Sequence, residues 1–404
     1  MLYRHTCNNG LRIVLEPMNT VRSITIGIWI KTGSRNESKQ MNGISHFIEH
    51  MLFKGTKKYH AKYIAEAFDA IGGEINAFTS KEYTCLYAKV LDEHIDVAMD
   101  ILADMVMHSV FDENEIMREK KVILEEISMT EDTPDDIIHD YLATSTYQHH
   151  PLSYPILGTK DTITHFSQND LFAFYKQHYQ PENMVISIVG NIEAYFIYEI
   201  EKLFTFNEVE STSQNVTKPI FFPETVSKRK DTEQSHLCLG FEGVNAKSDQ
   251  IYPLLIFNNI LGGSMSSRLF QEIREEHGMA YTIYSFHSAF IDSGLLTIYA
   301  GTSPNQLEMV REMINRILED IMANGITNKE FTNSKQQLKG MYLMSLESTN
   351  SKMSRNARNE LLLKNHDTME DVIQDIDQVE ITEIVDLIDR LSLSRPSSAV
   401  IIPK

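Results

Sequence analysis

The distribution of hydrophobic residues predicts a chain in which strands alternate with long helices. Apolar runs rich in β-branched residues predict strands at Ser23–Lys31, Asn183–Val189, Ser235–Glu242 and Ser398–Ile402. Apolar residues at helical spacing predict helices at Ala61–Ile71, Glu93–Met107, Glu113–Met129 and Asn305–Ala323. The turn residues Asn8-Asn9-Gly10 predict a hairpin that leads into a further strand over Leu11–Leu15. This mixture predicts an α+β fold, with helices packed on one face of a mixed or antiparallel sheet.

Three pairs of similar segments indicate that this unit occurs twice. The strand at 23–31 resembles the strand at 235–242, and Gly27 and Gly240 occupy matching places. The segments 183–189 and 111–117 resemble 398–402 and 326–332, and all three pairs are separated by 213 to 215 residues. A nearly constant separation favours duplication over coincidence. We therefore expect two duplicated domains, residues 1–206 and 231–404, joined by a polar linker with two prolines at 207–230.

Charge and hydropathy narrow the class of protein. The chain of 404 residues carries 37 Lys and Arg against 56 Asp and Glu, a formal net charge of −19. This acid excess argues against nucleic-acid binding, which needs clustered basic residues. It favours cationic partners such as basic peptides. The alternative is that the negative charge serves only solubility. No apolar run is long enough to span a membrane, so we expect no membrane insertion.

Cysteine usage and the first residues predict where the protein works. Cys7, Cys85 and Cys238 are far apart and form no C-x-x-C pair, so the sequence predicts neither a disulfide framework nor a cysteine-based zinc site. The first residues lack the charged and apolar segments of a signal peptide. We therefore expect a cytoplasmic protein.

The pentapeptide His46-Phe-Ile-Glu-His50 dominates the candidate chemistry. On a helix, His46, Glu49 and His50 share one face, opposite an apolar face centred near Ile44. Two imidazoles four residues apart can bind one metal ion, while the carboxylate between them stands beside an open coordination position. Asn42 is the expected N-cap of this helix. The alternative is a solvated polar face that happens to contain two histidines.

A catalytic zinc site also needs a third protein ligand. The predicted helix at 113–129 offers Glu119 and Glu126, which are seven residues apart and therefore share one face. Glutamate pairs of this kind are common on helices, so their spacing alone leaves open an ordinary exposed role.

Together these motifs resemble the inverted-motif zinc peptidases, the family of pitrilysin, insulin-degrading enzyme and mitochondrial processing peptidase. The chain is most similar to the short-subunit branch, which contains the β subunit of processing peptidase and its bacterial relatives. The resemblance extends from the first strand to Lys404, and its most specific segments are Gly43–Thr56 (GISHFIEHMLFKGT), Gly72–Ala77 (GGEINA), Asp140–Ala143 (DYLA), His178–Pro181 (HYQP) and Gly262–Leu269 (GGSMSSRL).

The resemblance implies a role for each residue of the motif. His46, His50 and Glu126 would bind one Zn²⁺ per chain. Glu49 would be the general base that takes a proton from the attacking water and passes it to the leaving amine. Glu119 would support the site by holding a ligand. The second half lacks an H-x-x-E-H motif, so we expect it to be non-catalytic.

The resemblance also implies that the second half contributes to catalysis on a partner. Arg274 and Tyr281, in the segment REEHGMAY, match a family pair that reaches the substrate and the reacting carbonyl. In the family, two two-domain halves close like a clamshell, and this chain supplies one half. We therefore expect a homodimer in which Arg274 and Tyr281 act in trans. Without the resemblance, Tyr281 would be an ordinary strand tyrosine and Arg274 a solvated helix residue.

Two further elements are expected to bind the peptide substrate. Asn76 and Ala77 resemble the family's edge strand, whose backbone pairs with an extended peptide. Asp136 and Asp140 lie four apart on a predicted helix and match an acidic pair that receives an arginine near the scissile bond. The alternative for this pair is a solvated helix start, favoured by the helix dipole.

The resemblance leaves three functions to separate. The first is a zinc metalloendopeptidase that degrades extended, basic or unfolded peptides in a closed chamber of the bacterial cytoplasm. The second is a strict presequence processor with an arginine preference. The third is a catalytically silent scaffold or peptide-binding subunit, which the intact zinc motif disfavours.

Overall fold

The computed structural model describes residues 1–206, 216–391, 393 and 395–404. The described chain forms two compact units, each built around one sheet. The first unit comprises Met1–Ser128, Tyr154–Val216 and Met344–His366, and the second comprises Met129–Ser153, Thr217–Leu343 and Asp367–Lys404. No helix within the described ranges is both long and apolar enough to cross a bilayer.

Eleven strands form the two sheets of the described chain. In chain order they are β1 Tyr3–Thr6, β2 Arg12–Pro17, β3 Ser23–Ile30, β4 Glu74–Thr79, β5 Thr84–Leu91, β6 Met184–Gly190, β7 Thr225–Lys230, β8 Ser235–Glu242, β9 Ala280–Ala289, β10 Gly294–Thr302 and β11 Ser397–Pro403.

Helices follow and connect the strands. They are α1 Ile44–Leu52, α2 Ala61–Ala70, α3 Ile95–His108, α4 Glu113–Asp132, α5 Pro134–Tyr147, α6 Lys160–His165, α7 Gln168–His178, α8 Phe196–Leu203, α9 Ile251–Leu261, α10 Leu307–Asn324, α11 Asn328–Ser345, α12 Thr349–Arg358, α13 Met369–Gln378 and α14 Ile381–Arg390, with π-helical turns at Phe270–Glu276 and Asn359–Leu363. The predicted strands and long helices are confirmed to within three residues at each end.

The two sheets share one strand order. The first sheet is ordered β1-β2-β6-β3-β5-β4, and the second is ordered β7-β11-β8-β10-β9. Without β1, each position in the first sheet has a counterpart of the same direction in the second. In both sheets one pair is parallel (β2 with β6, β7 with β11), and the other neighbours are antiparallel. This agreement supports the expected duplication.

Each sheet buries its first face against the helices of its own half. In the first unit, α1 contributes Ile44, Phe47, Ile48 and Met51 to a core that also contains the inward residues of β2, β3 and β6. In the second unit, α9 and α10 pack on β8 and β10. The apolar face predicted for 44–52 is therefore confirmed as a core face.

Each sheet also carries a helix on its second face, which the sequence did not predict. In the first unit, Met353 and Ala357 of α12 pack on Trp29 and Val185. In the second unit, Ile138 and Leu142 of α5 pack on Cys238 and Tyr299. Both sheets are thus buried on two faces.

The matching glycines of the central strands explain how these helices approach so closely. A Cβ atom at Gly27 would lie 2.3 Å from the Met353 sulfur, and one at Gly240 would lie 3.2 Å from Leu142 Cδ1. The first is a steric clash and the second a tight contact. Any side chain at Gly27 would force Met353 or Trp29 to shift, so glycine is favoured under the covering helix in both units.

The division along the chain differs from the expected boundaries in two segments. Residues 129–153 belong to the second unit, although they precede residue 206, and residues 344–366 belong to the first unit. The expected linker also differs, because its last six residues form β7, an edge strand paired with β11. Positions 207–215 of that linker lie outside the described residues.

Candidate metal centre

Helix α1 begins at a buried carboxylate, and its N-cap differs from the prediction. The N-cap is Gly43, with a φ of 94°, a conformation that suits glycine. The amides of Gly43 and Ser45 donate to the Glu37 carboxylate at 2.8 and 2.9 Å. The predicted N-cap, Asn42, is wrong because its amide group donates to Glu37 and to the Pro155 carbonyl instead of accepting from the helix. Glu37 thus takes the capping role.

The polar face of α1 meets α4 at three atoms suited to bind a metal ion. His46 Nε2 and His50 Nε2 lie 3.2 Å apart, and Glu126 Oε2 lies 3.8 Å from His46 Nε2 and 3.5 Å from His50 Nε2. Ligand atoms around a tetrahedral zinc ion, with bonds of 2.0–2.2 Å, stand about 3.3–3.6 Å apart. The triangle therefore has the size of a zinc site, and its two nitrogens and one carboxylate oxygen are donors that zinc prefers.

The hydrogen bonds of His50 determine which of its nitrogens faces the other ligands. His50 Nδ1 donates to Glu119 Oε1 at 2.8 Å, which leaves the lone pair on Nε2. Glu119 is buried and also accepts from the Lys54 ammonium at 2.6 Å. Burial lowers the pKa of His50, but the bond to Glu119 and the charges of Glu126 and Glu119 outweigh burial and raise it overall. This carboxylate–histidine pair is the arrangement that orients metal ligands.

His46 is held in its neutral form. Burial, followed by the neighbouring His50, lowers the pKa of His46 to about 3. Neutral imidazole is the form that binds a metal ion. Its Nδ1 atom is buried and has no hydrogen-bond partner among the described residues.

Glu49 stands beside this triangle and is bound by the last residue of β4. The Thr79 hydroxyl donates to Glu49 Oε2 at 2.5 Å. Burial raises the pKa of Glu49, while Thr79 and His50 partly oppose the shift. A carboxyl group with a raised pKa is suited to exchange protons near neutral pH.

Strand β4 connects the triangle to a sheet edge. It is the terminal strand of the first sheet and carries Asn76 and Ala77. The Ala77 amide donates to the Asn76 side chain at 2.8 Å, and Asn76 is exposed. Because Thr79 at the end of β4 contacts Glu49, the edge strand leads to the proposed base.

The remaining predicted residues belong to the second unit. The Arg274 guanidinium lies over the Tyr281 ring, 5.7 Å from its centroid, and over the Phe270 ring at 4.6 Å. Tyr281 is the second residue of the edge strand β9 and is 77% exposed. The structure thus brings Arg274 and Tyr281 together, and it leaves the Tyr281 ring open to solvent.

Asp136 and Asp140 lie in the first half of α5, one turn apart. Asp136 is exposed and Asp140 is partly buried. The spacing of an acidic pair on one helical face is confirmed, and its arginine-binding role stays a prediction.

Three side chains that hold the site in place were not predicted from the sequence. Glu37 holds the start of α1, Lys54 holds Glu119, and Thr79 holds Glu49. Lys54 lies just past the end of α1, so the helical spacing that placed His46 and His50 does not extend to it. Glu37 and Thr79 lie in a loop and at a strand end, where spacing predicts no contact.

Comparisons with known proteins cover nearly the whole chain. The model of the insulinase family, peptidase family M16, matches residues 12–160, and the model of the peptidase M16 inactive domain matches residues 165–338. A relative from Bacillus subtilis named uncharacterized zinc protease YmxG is 53% identical over 403 residues, covering 100% of this chain and 98% of the relative. A second, from Streptomyces coelicolor and named uncharacterized zinc protease SCO5738, is 37% identical, covering 99% of this chain and 89% of the relative.

Solved structures share the fold. A protease from Helicobacter pylori matches with a TM-score of 0.92 at 24% identity, covering 100% of this chain and 99% of that one. A peptidase M16 inactive domain from Pseudomonas fluorescens also matches with a TM-score of 0.92, at 17% identity, covering 100% and 97%. At these identities the likeness concerns the fold alone.

Proposed function

The chain belongs to the insulinase family of peptidases, family M16, and we propose that it is a zinc-dependent metalloendopeptidase. Its substrates are extended, basic peptides or unfolded segments. The observation that carries the proposal is the triangle of His46, His50 and Glu126, which has zinc dimensions and lies beside the buried Glu49. The names of its relatives, which include zinc proteases 53% and 37% identical, support the same reaction class.

In the proposed hydrolysis, each residue of the site has a defined role. His46, His50 and Glu126 would hold a zinc ion, which would supply a Lewis acid for the scissile carbonyl. Glu49 removes a proton from the attacking water and then delivers it to the leaving amine. Thr79 fixes the Glu49 carboxylate, and Glu119 fixes the His50 ring, so that neither group must reorient during the reaction.

Substrate binding uses the backbone of β4 more than specific pockets. An extended peptide adds to the free edge of the first sheet, and its carbonyl competes with the Asn76 side chain for the Ala77 amide. Main-chain pairing accepts many sequences. Asp136 and Asp140 add a preference for arginine, and the net charge of −19 attracts basic peptides over a longer range.

The working enzyme is a homodimer that encloses its substrate in a chamber, with each chain supplying one half of the clamshell. Arg274 and Tyr281 act on the metal centre of the other protomer, where the Tyr281 hydroxyl stabilises the developing oxyanion. The exposure of Tyr281 fits a role toward a partner. Mixing a Glu49→Gln chain with a Tyr281→Phe chain, each inactive alone, is expected to restore activity. Mixing that never restores activity contradicts action in trans.

The test of the proposed function is cleavage of an arginine-containing unstructured peptide. We expect the wild type to cleave it, and we expect both a chelator and Glu49→Gln to abolish cleavage. Glu125→Gln, on the exposed face of α4, is the matched control and should cleave normally. The cut sites separate a general degrader from a strict presequence processor. A folded, zinc-loaded wild type that cleaves nothing contradicts the proposal and favours the silent scaffold.

The bacterial cytoplasm remains the proposed location. The three cysteines, Cys7, Cys85 and Cys238, are all buried and free, which suits a reducing compartment. The relatives described above are bacterial proteins.

A further inference from the structure

A second group of metal-binding side chains lies where the first hairpin meets helix α8. His5, Cys7 and Glu201 each offer one ligand atom, and the three atoms lie within 4.8 Å of one another. His5 Nε2 and Glu201 Oε2 are 3.0 Å apart, although the two residues are separated by 196 positions. None of the three residues takes part in the triangle of His46, His50 and Glu126.

The hairpin fixes the first two ligands. Residues two apart on an extended chain face the same side, so His5 and Cys7 point together. The turn after Cys7 is closed by two backbone hydrogen bonds, from the Cys7 amide to Leu11 at 2.8 Å and from the Gly10 amide to Cys7 at 2.9 Å. Cys7 therefore has a fixed backbone at the point where β1 turns into β2.

Helix α8 fixes the third ligand against the hairpin. Asn9, in the turn, donates its side-chain amide to the Phe204 carbonyl at 3.1 Å, just after α8 ends. Ile200, Phe204 and Leu11 are fully buried members of one core. Glu201 follows Ile200, so the packing of the helix holds its carboxylate beside His5. The three ligands are held close together by elements that fold for other reasons.

We propose that His5, Cys7 and Glu201 bind one divalent transition-metal ion, of the zinc type, and that this ion fastens the first hairpin to α8. Sulfur, nitrogen and carboxylate oxygen are the three donor types that zinc accepts. Calcium and magnesium, which require oxygen ligands, are disfavoured by the thiol. Three protein ligands leave a fourth position for a solvent molecule.

The burial of the three residues suits entry of an ion from solvent. Cys7 is 4% exposed, while the side chains of His5 and Glu201 are 30% and 31% exposed. An ion can therefore reach the site between the imidazole and the carboxylate. Coordination requires the thiolate, so binding replaces the S–H bond with a metal–sulfur bond and releases one proton to solvent.

The sulfur ligand provides a test that the catalytic triangle cannot imitate, because the triangle contains only nitrogen and oxygen. The full-length chain is stripped with a chelator and titrated with Co²⁺, which substitutes for zinc, while the near-ultraviolet thiolate-to-cobalt band is recorded. We expect the band to saturate at one thiolate-bound cobalt per chain. We expect it to persist in His50→Ala, which disables the triangle, and in Cys238→Ser, which removes a buried cysteine elsewhere.

Variants of the three ligands complete the test. Cys7→Ser is expected to abolish the band, and His5→Gln and Glu201→Gln are expected to weaken cobalt binding about tenfold or more. Peptide cleavage should persist in His5→Gln, because His5 lies outside the triangle. A wild type without a thiolate band at saturating cobalt overturns the proposal, as does a band that survives Cys7→Ser. If Cys7→Ser does not fold, unchanged cobalt affinity in both glutamine variants overturns it equally.

Discussion

The two units have the same strand order, yet one pair of helices in equivalent positions is held together differently in each unit. In the first unit, α1 and α4 are joined by the bond from His50 to Glu119, at 2.8 Å. In the second unit, α9 and α11 hold the corresponding places. They are joined by hydrogen bonds from Asn259 to Ser334, at 3.0 Å, and to Gln337, at 3.1 Å. A neutral amide–hydroxyl contact thus replaces an imidazole–carboxylate pair.

This difference separates the fold from the chemistry. Helix α9 is apolar on most sides and buries Leu254, Phe257 and Leu261, whereas α1 keeps one face for two histidines and a glutamate. Within the described parts of the chain, the candidate metal-binding groups use residues of the first unit only. The shared sheet supports both arrangements, so the proposed reaction depends on a few side chains and not on the architecture.

The largest expected effect comes from removing the ligand that α4 supplies. Glu126→Gln should lower peptide cleavage about 1,000-fold, because a lost zinc ion costs several kcal/mol of transition-state stabilisation. Activity and bound zinc are measured on the same preparation. Glu125→Gln changes the adjacent, exposed glutamate in the same way and should leave both unchanged. Full activity in Glu126→Gln would contradict the proposal that Glu126 binds a catalytic zinc ion.

A matching test of the second unit should affect stability without affecting the metal. The Arg268 guanidinium donates to Glu330 at 2.7 Å and holds the pKa of that carboxyl at about 2. Glu330→Gln should therefore destabilise the second unit by about 1.5–3 kcal/mol, the contribution of charged hydrogen bonds. Hydrogen exchange should accelerate in α11 and leave α1 and zinc content unchanged.

The same bond predicts a pH dependence. Because the folded pKa of Glu330 is lowered, its stabilisation is complete above the ordinary glutamate pKa and is lost as the pH falls toward about 2. Glu308→Gln, at a carboxylate 78% exposed, is the control and should change neither stability nor its pH dependence. In Glu330→Gln, equal acceleration of hydrogen exchange in both units would show that the two units do not unfold separately.

A smaller effect is expected at the carboxylate that orients His50. Glu119→Gln removes the charge that accepts from His50 and Lys54, so zinc affinity should fall about 10- to 100-fold. Competition with a chelator measures this loss, and excess zinc should restore cleavage. Glu113→Gln, on the exposed first turn of α4, serves as the control. Failure of excess zinc to restore activity would assign Glu119 a role beyond orienting the His50 ring.

The smallest effect concerns Thr79, which holds the proposed base. Thr79→Val keeps the shape of the side chain and removes one hydrogen bond, so kcat should fall about tenfold while KM stays constant. Thr79→Ser retains the hydroxyl and should recover most of the loss. A change in KM alone would indicate that Thr79 shapes the substrate edge of β4 and does not position Glu49.

Much of the site could be predicted because it depends on local spacing. Helical periodicity placed His46, Glu49 and His50 on one face of α1, and a spacing of seven placed Glu119 and Glu126 on one face of α4. That α4 faces α1 came from the resemblance to a known family, and the distances between them support it. Glu37 could not be predicted, because a buried carboxylate that caps a helix from seven residues upstream leaves no periodic signal.

The covering helices show a different limit. Helix α12 is mostly polar, and it packs through Met353 and Ala357 while Asn356 donates to Glu16 at 2.7 Å. Its sequence therefore lacks the apolar stripe that identifies a core helix. Nothing local indicates that 344–366 joins the first unit or that 129–153 joins the second.

By itself, the sequence determined the strands, the long helices, the duplication and the residues that share a helical face, because each depends on repeating local geometry. The tertiary structure decided which faces meet. It set the dimensions of the triangle of His46, His50 and Glu126 and brought Glu201 to His5 and Cys7. It also assigned the covering helix α12 to the first unit and α5 to the second. These outcomes depend on packing between distant segments, for which one chain carries no periodic signal.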